Sequence, residues 1–597
     1  MSIPKFFIEV SEKSLVPKSI EWGKLNNNRK VFIKFNKNNL NISFHNVNGN
    51  KLCILGNPIV NNQINNNKFA KYFFQNKNIN SLKNINGEFI IFFIDKFKKV
   101  LEIINSRFTS PALWYYSNKK KFLASLSFTE LSIYLKKNGE FKLDKNSFFE
   151  YLFFRRIIGD KSYELNTKSL SPASKLITNG INKKRISYWE PNFRNKNNFS
   201  INKSADLLID LLLNSLKIRT SDNKRYALFL SGGMDTRLLL SCLKKNNTNF
   251  CTFTFNSFMN REVKVAKEAA KLANVNNIFF KNKKNHYKKN FNECIFSTAS
   301  MYPPLTMFYG FSKLIKKYAD IGFHGHGFDF FFQGMYLPKQ RLKILNHDLN
   351  FIIPRIIKGD LVNFFIKNVP YKTKSQNVLD FIKRKKKKKL MDNIFFELKK
   401  IEITGKKFSD DVYDLYEYLT FNNLARHYSV SDNISINSII ETRIPSFDND
   451  LYDLYQSLPW KHRFDSKIQR LALKKINIKL ANLNSANTDL PIKYSKYQKT
   501  FFQFINYFKN KFKNNKNDLE EKFQRMGLPY SYLLKNDWYN YLKETVNSDR
   551  LDRLDFLDIK KIKLYLSNVL IKDNSGYDTF TINLLCVDHF LKILDEN

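Results

Sequence analysis

Two glycines stand side by side at Gly232-Gly233, after the apolar run Tyr226–Leu230 and before a helical pattern that starts at Thr236. Glycine is scarce here, 18 of 597 residues, against a usual share of about 7%. The glycines that remain are therefore expected where no other residue fits. At Ser231-Gly232-Gly233-Met234-Asp235-Thr236 the chain must turn sharply from strand to helix. The free N–H groups at such a helix start can cradle phosphate. No Gly-Lys-Ser/Thr follows, so the loop is not a Walker A motif. Upstream, Leu207, Leu208, Leu211, Leu212 and Leu216 recur at helical spacing. Downstream, a strand at Cys251–Phe255 and a helix at Arg261–Ala273 are predicted. Strands alternating with helices predict a doubly wound parallel sheet.

Ahead of this region, residues 1–190 read as short alternating strands separated by Asn-rich turns, an α+β sandwich of antiparallel sheets. Asn48-Gly49 predicts a tight hairpin with two positive φ angles. A polar stretch near Asn192–Asn202 predicts a linker, and residues 200–597 a second domain of the α/β class. Within it, residues 340–425 read as a largely helical insertion, with Lys383-Arg384-Lys385-Lys386-Lys387-Lys388-Lys389 on a solvated face.

Composition excludes several classes. Hydrophobic residues at 43% and aromatics at 15% are too many for a disordered tail. No apolar run approaches the ~20 residues of a membrane span, and the first residues lack the apolar core of a signal peptide. Five scattered cysteines, never spaced as CxxC, point to the reducing cytoplasm and against a disulfide framework. The net charge of +47 is the footprint of a nucleic-acid partner. The abundance of Asn, Lys, Ile and Phe, residues of A/T-rich codons, gives the favoured explanation: a solvated basic surface.

Two further motifs follow in order. Gly325-His326-Gly327-Phe328-Asp329 comes after the apolar segment Ile321–Phe323, which predicts another parallel strand. An Asp there can meet Asp235 in the crevice where open α/β sheets bind ligands, and two carboxylates suit Mg²⁺ on a triphosphate. A His324, His326 and Asp329 zinc site is the lesser reading. The third motif is Glu441-Thr442-Arg443-Ile444-Pro445-Ser446-Phe447-Asp448.

In this order the three motifs resemble the glutamine-hydrolysing asparagine synthetase family, with its SGGxDS, GEGxDE and E-x-R-x-P-F-L-D, and the related β-lactam synthetases. Asn86-Gly87-Glu88-Phe89 through Asp95, and Asn105-Ser106-Arg107-Phe108-Thr109, are similar to the family's glutaminase domain. The resemblance implies an ATP-dependent carbon–nitrogen ligase with ATP and Mg²⁺ as cofactors. It implies nucleotide contacts at Ser231, Gly232, Gly233, Asp235, Thr236, Gly325 and Gly327, and metal ligands at Asp235 and Asp329. The chain departs from the pattern at Ser2, where the family has a nucleophilic Cys, and at Ser106, where it has an Asp. A hydroxyl is a poor stand-in for a thiolate, so residues 1–190 are expected to be a degenerate, structural glutaminase domain. His326 takes the slot of an acid or phenol and, oriented by Glu441, is the expected catalytic base; Lys493 is a weak match to a later catalytic Lys. The implied partners are a small-molecule carboxylate and ammonia or an amine, with a separate glutaminase as one nitrogen source. The carboxylate is aspartate, a sugar uronic acid or a peptide. A tRNA-modifying ATP-pyrophosphatase and a non-catalytic scaffold are the rival classes.

Overall fold

The computed structural model describes residues 5–597 except 26–28, 37–39, 303, 305, 345–346, 422–429, 511–526 and 572–577. The chain is mixed α/β. Its first part pairs a sheet of six antiparallel strands with one of seven. The run Phe89–Ile94 forms part of the strand Asn86–Asp95 and is buried throughout. It alternates between two cores: Ile90, Phe92 and Ile94 pack toward Phe6, Ile8 and Val10 of the other sheet. Phe89, Ile91 and Phe93 pack under Phe69 and Phe73 of the helix Asn66–Gln75. Burying each such side chain contributes about 1.5–3 kcal/mol. The Asn48-Gly49 turn has the expected pair of positive φ angles, 53° and 80°.

From Ile201 the architecture changes. The helix Ile201–Arg219, capped by Ser200, leads to a parallel sheet. Its strand order is Asn277–Lys281, Phe250–Asn256, Tyr226–Phe229, Ile321–Phe323 and Glu441–Arg443. The helices Met234–Lys245 and Arg261–Leu272 connect its first strands, as the alternating pattern predicts. The stretch read as a linker is tied down rather than free. Phe193 and Asn197 donate backbone hydrogen bonds to Phe408 and Ser457 at 3.0 and 2.8 Å.

The largely helical reading of residues 340–425 needs correction. Lys339–Ile344 and His347–Pro354 form an antiparallel hairpin before the helices Leu361–Asn368, Arg384–Gly405 and Val412–Phe421 begin. Its alternating polar and apolar residues, such as Arg341-Leu342-Lys343-Ile344, are strand-like. The lysine run lies at the start of Arg384–Gly405 and is mostly exposed, while Leu390, Ile394 and Leu398 face the core. Among the described residues no helix is long and apolar enough to cross a membrane, and the five cysteines are free.

The two parts are joined by the hairpin whose sequence resembles a glutaminase motif. Asn86 Nδ2 donates to Asp448 at 3.0 Å, and Glu88 Oε1 accepts from the Ile444 N–H at 2.9 Å. Arg219, fully buried, donates to Asp448 at 2.7 Å, and the Phe108 and Phe447 rings stack at 4.9 Å.

Candidate functional site

The strand Tyr226–Phe229 ends at the loop Leu230–Gly233, and the helix Met234–Lys245 begins immediately after. Gly233 occupies its N-cap without a side-chain cap, so the first N–H groups stay available to an anion. Gly232 is forced by packing, because a Cβ there would lie 2.5 Å from the Ala486 side chain. Ser231 Oγ accepts from the Gly233 N–H at 3.2 Å, and Thr236 Oγ1 donates to the Ser231 carbonyl at 3.2 Å. Both hydroxyls thus hold the loop's shape. Arg237, fully buried, braces it from behind, donating to the carbonyls of Gly232 at 3.0 Å and Leu483 at 2.8 Å.

The second glycine loop packs directly on the first. A Cβ on Gly325 would come within 2.7 Å of the Asp235 Cβ. Gly327 has φ +97°, a backbone region that side chains avoid, and sits against Ser446. The structure thus packs Gly325 against Asp235 and Thr236, beyond the carboxyl ends of the strands Tyr226–Phe229 and Ile321–Phe323. Asp235 Oδ1 accepts from Gln469 Nε2 at 2.6 Å and from Gln333 Nε2, while Oδ2 has no hydrogen bond among the described residues. Burial pushes its pKa up to about 6, against the pull of the two amides. A half-buried carboxylate with an oxygen left for another partner is one that a cation would relieve. Asp329, on the short helix Phe328–Phe331, is the second carboxylate. Mg²⁺ bound by one or two carboxylates plus substrate phosphates and water fits such a pair. No group of three or more His, Cys, Asp and Glu suited to a metal occurs among the described residues, which leaves the zinc triad without support.

The expected pairing of His326 with Glu441 is not made. The parallel register sets Glu441 opposite Ile321, and Ser446, five residues later, is the residue that reaches the His326 carbonyl. Glu441 instead accepts from Asn57 at 2.9 Å and lies 4.0 Å from Arg443. His326 is governed by burial, which brings its pKa down to about 3, with His324 lowering it further. Its ring packs on Phe330 and Phe447, and its Nε2 is enclosed without a hydrogen-bond partner.

Sequence reasoning missed several residues here. Gln469 and Gln333 hold Asp235, and Gln333 is in turn held by Ser466. Asp465 and Ser466 adopt positive φ angles of 55° and 58°, strain that over-determined functional loops tolerate. Lys493 is exposed. Lys499 lies near Arg470 and Asp465, and burial together with Arg470 brings its pKa down to about 8. None of these has a local sequence signal. In the N-terminal part, Ser106 spends its hydroxyl on the Ser110 carbonyl at 3.3 Å, and Ser2 lies outside the described residues.

A parallel sheet whose carboxyl edge carries two interlocked glycine loops and an acidic residue defines an α/β nucleotide-loop domain. Residues 207–480 match the family model described as Asparagine synthase, a family of ATP-dependent carbon–nitrogen ligases. No curated protein matches the chain.

Proposed function

We propose that the chain activates a carboxylate as an acyl-adenylate and passes it to ammonia or an amine, forming an amide. The observation that supports this most is Asp235, half-buried beside the Gly232-Gly233 loop, with one carboxylate oxygen unbonded among the described residues and the second glycine loop packed on it. On this reading the N–H groups at the start of Met234–Lys245 bind the nucleotide's phosphates. Asp235 and Asp329 would hold Mg²⁺, which when bound supplies charge neutralisation on the triphosphate. The substrate carboxylate attacks the α-phosphate and pyrophosphate leaves; the amine then attacks the acyl carbon and AMP leaves. His326 is neutral at physiological pH and accepts the proton released by the attacking amine. An anionic nucleotide beside it would raise its basicity from the value burial sets. Residues 1–190 serve as a structural partner, and nitrogen comes from free ammonia, a separate glutaminase or an amine on the substrate.

The test separates the two half-reactions. ATP–pyrophosphate exchange is measured with aspartate, uronic acids and peptide carboxylates, and amide formation is measured alongside. His326→Gln should keep exchange and lose amide formation by about 10²–10⁴, the usual general-base contribution. Equal damage to both steps would make His326 a shaper of the loop instead. Pyrophosphate exchange with none of the carboxylates, in a folded protein, would count against the ligase reading.

A further inference from the structure

Where the N-terminal part meets the edge strand Glu441–Arg443, a cavity of about 140 Å³ remains. Both parts wall it: Glu88, Phe108 and Trp114 from one, Glu441, Thr442 and Phe447 from the other. Its size is close to the roughly 150 Å³ of an engineered apolar cavity that binds benzene. Among the described residues no Lys or Arg lines it, and the only formally charged lining groups are the carboxylates of Glu88 and Glu441.

Each of these carboxylates is half used. Glu88 Oε1 takes the Ile444 N–H at 2.9 Å and Glu441 Oε1 takes the Asn57 amide at 2.9 Å. Both carboxylates also line the cavity, Glu88 only 6% exposed and Glu441 half-buried. Arg219 and Arg443 stand 3.8 and 4.0 Å behind them, but those guanidiniums are committed to Asp448 and Asp222. Burial pushes both carboxyls toward their neutral forms, a strain that a cation in the cavity would remove. An anion would meet two carboxyls, and a neutral guest would leave buried acceptors unpaired.

We propose that this cavity is a binding site for a primary ammonium with a small aromatic or branched apolar body. The Glu88 and Glu441 carboxylates hold the charge, and Phe108, Trp114 and Phe447 enclose the body. The site is separate from the glycine loops, because Phe447 stands between the cavity and His326, whose ring centre is 5.7 Å from its own. It goes beyond the ligase reading and does not require it.

Benzylamine, titrated into the full chain without ATP and followed by calorimetry and tryptophan fluorescence, is the probe. It should bind roughly tenfold or more tightly than benzyl alcohol or benzoate, the gain expected of charge-assisted hydrogen bonds. Glu441→Gln, which keeps an acceptor for Asn57, should bring benzylamine down to the level of benzyl alcohol. Equal binding of benzyl alcohol by the unaltered chain would reduce the cavity to an apolar hole and overturn the proposal. Tighter binding of benzoate would give the site to Arg219 and Arg443, with the same result. Ammonium chloride displacing benzylamine at equal concentration would remove the apolar body from it. Failure of all three probes to bind the folded chain would also overturn it. Should Glu441→Gln not fold, selectivity among the three probes in the unaltered chain still decides. Because ATP is absent throughout, this outcome is independent of pyrophosphate exchange.

Discussion

Gln469 and Asp235, 234 residues apart in sequence, share a 2.6 Å hydrogen bond at the carboxyl end of the parallel sheet. Gln333 donates to the same oxygen, so two neutral amides orient a carboxylate that burial would otherwise drive toward protonation. Amides, unlike lysines, fix the direction of Asp235 without adding a neutralising charge.

Asp235→Asn and Asp329→Asn should therefore abolish ATP–pyrophosphate exchange while far-ultraviolet circular dichroism stays unchanged. Normal exchange in either variant would withdraw that residue from metal binding. Gln469→Ala should cost less, because Gln333 still orients the group; the expected loss is about tenfold, or ~1.4 kcal/mol.

Gly325→Ala tests the contact between the loops. The added methyl would sit 2.7 Å from the Asp235 Cβ. Over-packing of this kind costs about 1–3 kcal/mol, and exchange should fall with stability. A variant of unchanged melting temperature and activity would show that the loops have room to separate.

The N-terminal part should release no glutamate from glutamine. Ser2 and Ser106 stand where such chemistry needs a thiol and a carboxylate, and the Ser106 hydroxyl is already bonded to Ser110. Glutamate release that disappears in Ser2→Ala would contradict this.

Arg219 carries a different prediction. It is fully buried, paired with Asp448 at 2.7 Å and near Glu88 at 3.8 Å. Arg219→Ala strands two carboxylates at the junction of the two parts and should destabilise the chain by about 3–5 kcal/mol. Denaturant unfolding measures it; a change under about 1 kcal/mol would mean water reaches the junction.

Glu262 gives a pH dependence. It lies in the first turn of Arg261–Leu272, and burial raises its pKa from 4.5 to about 7. A carboxyl with a raised folded pKa takes protons more readily when folded. Stability is therefore fully present below about pH 4.5 and declines as pH rises toward 7. Glu262→Gln should match the unaltered chain at pH 4 and exceed it at pH 8 by about 1–3 kcal/mol. An equal gain at both pH values would trace the effect to packing rather than charge.

The strand-to-helix junction at Gly232-Gly233 was legible because its cause is local. A tight turn after an apolar strand needs residues without side chains, and the sequence places scarce glycines there. The Asn48-Gly49 hairpin and the alternation of strands and helices after residue 200 were readable for the same reason. The hairpin at 339–354 was missed, because its local alternation, as in Arg341-Leu342-Lys343-Ile344, was read together with the long helical patterns that follow it.

What the sequence determined by itself is the set of chemical groups: two glycine loops, Asp235 and Asp329, and the departures at Ser2 and Ser106. What only the tertiary structure decided is which groups meet. Strand register put Glu441 opposite Ile321, some five residues short of His326, and gave it to Asn57 of the N-terminal part instead. Long-range packing brought Gln333 and Gln469 to Asp235, and it let burial, not a carboxylate partner, set the basicity of His326. Residue identity fixes what a side chain can do, but its pKa and its partners depend on neighbours hundreds of residues away, and only the fold brings those neighbours together.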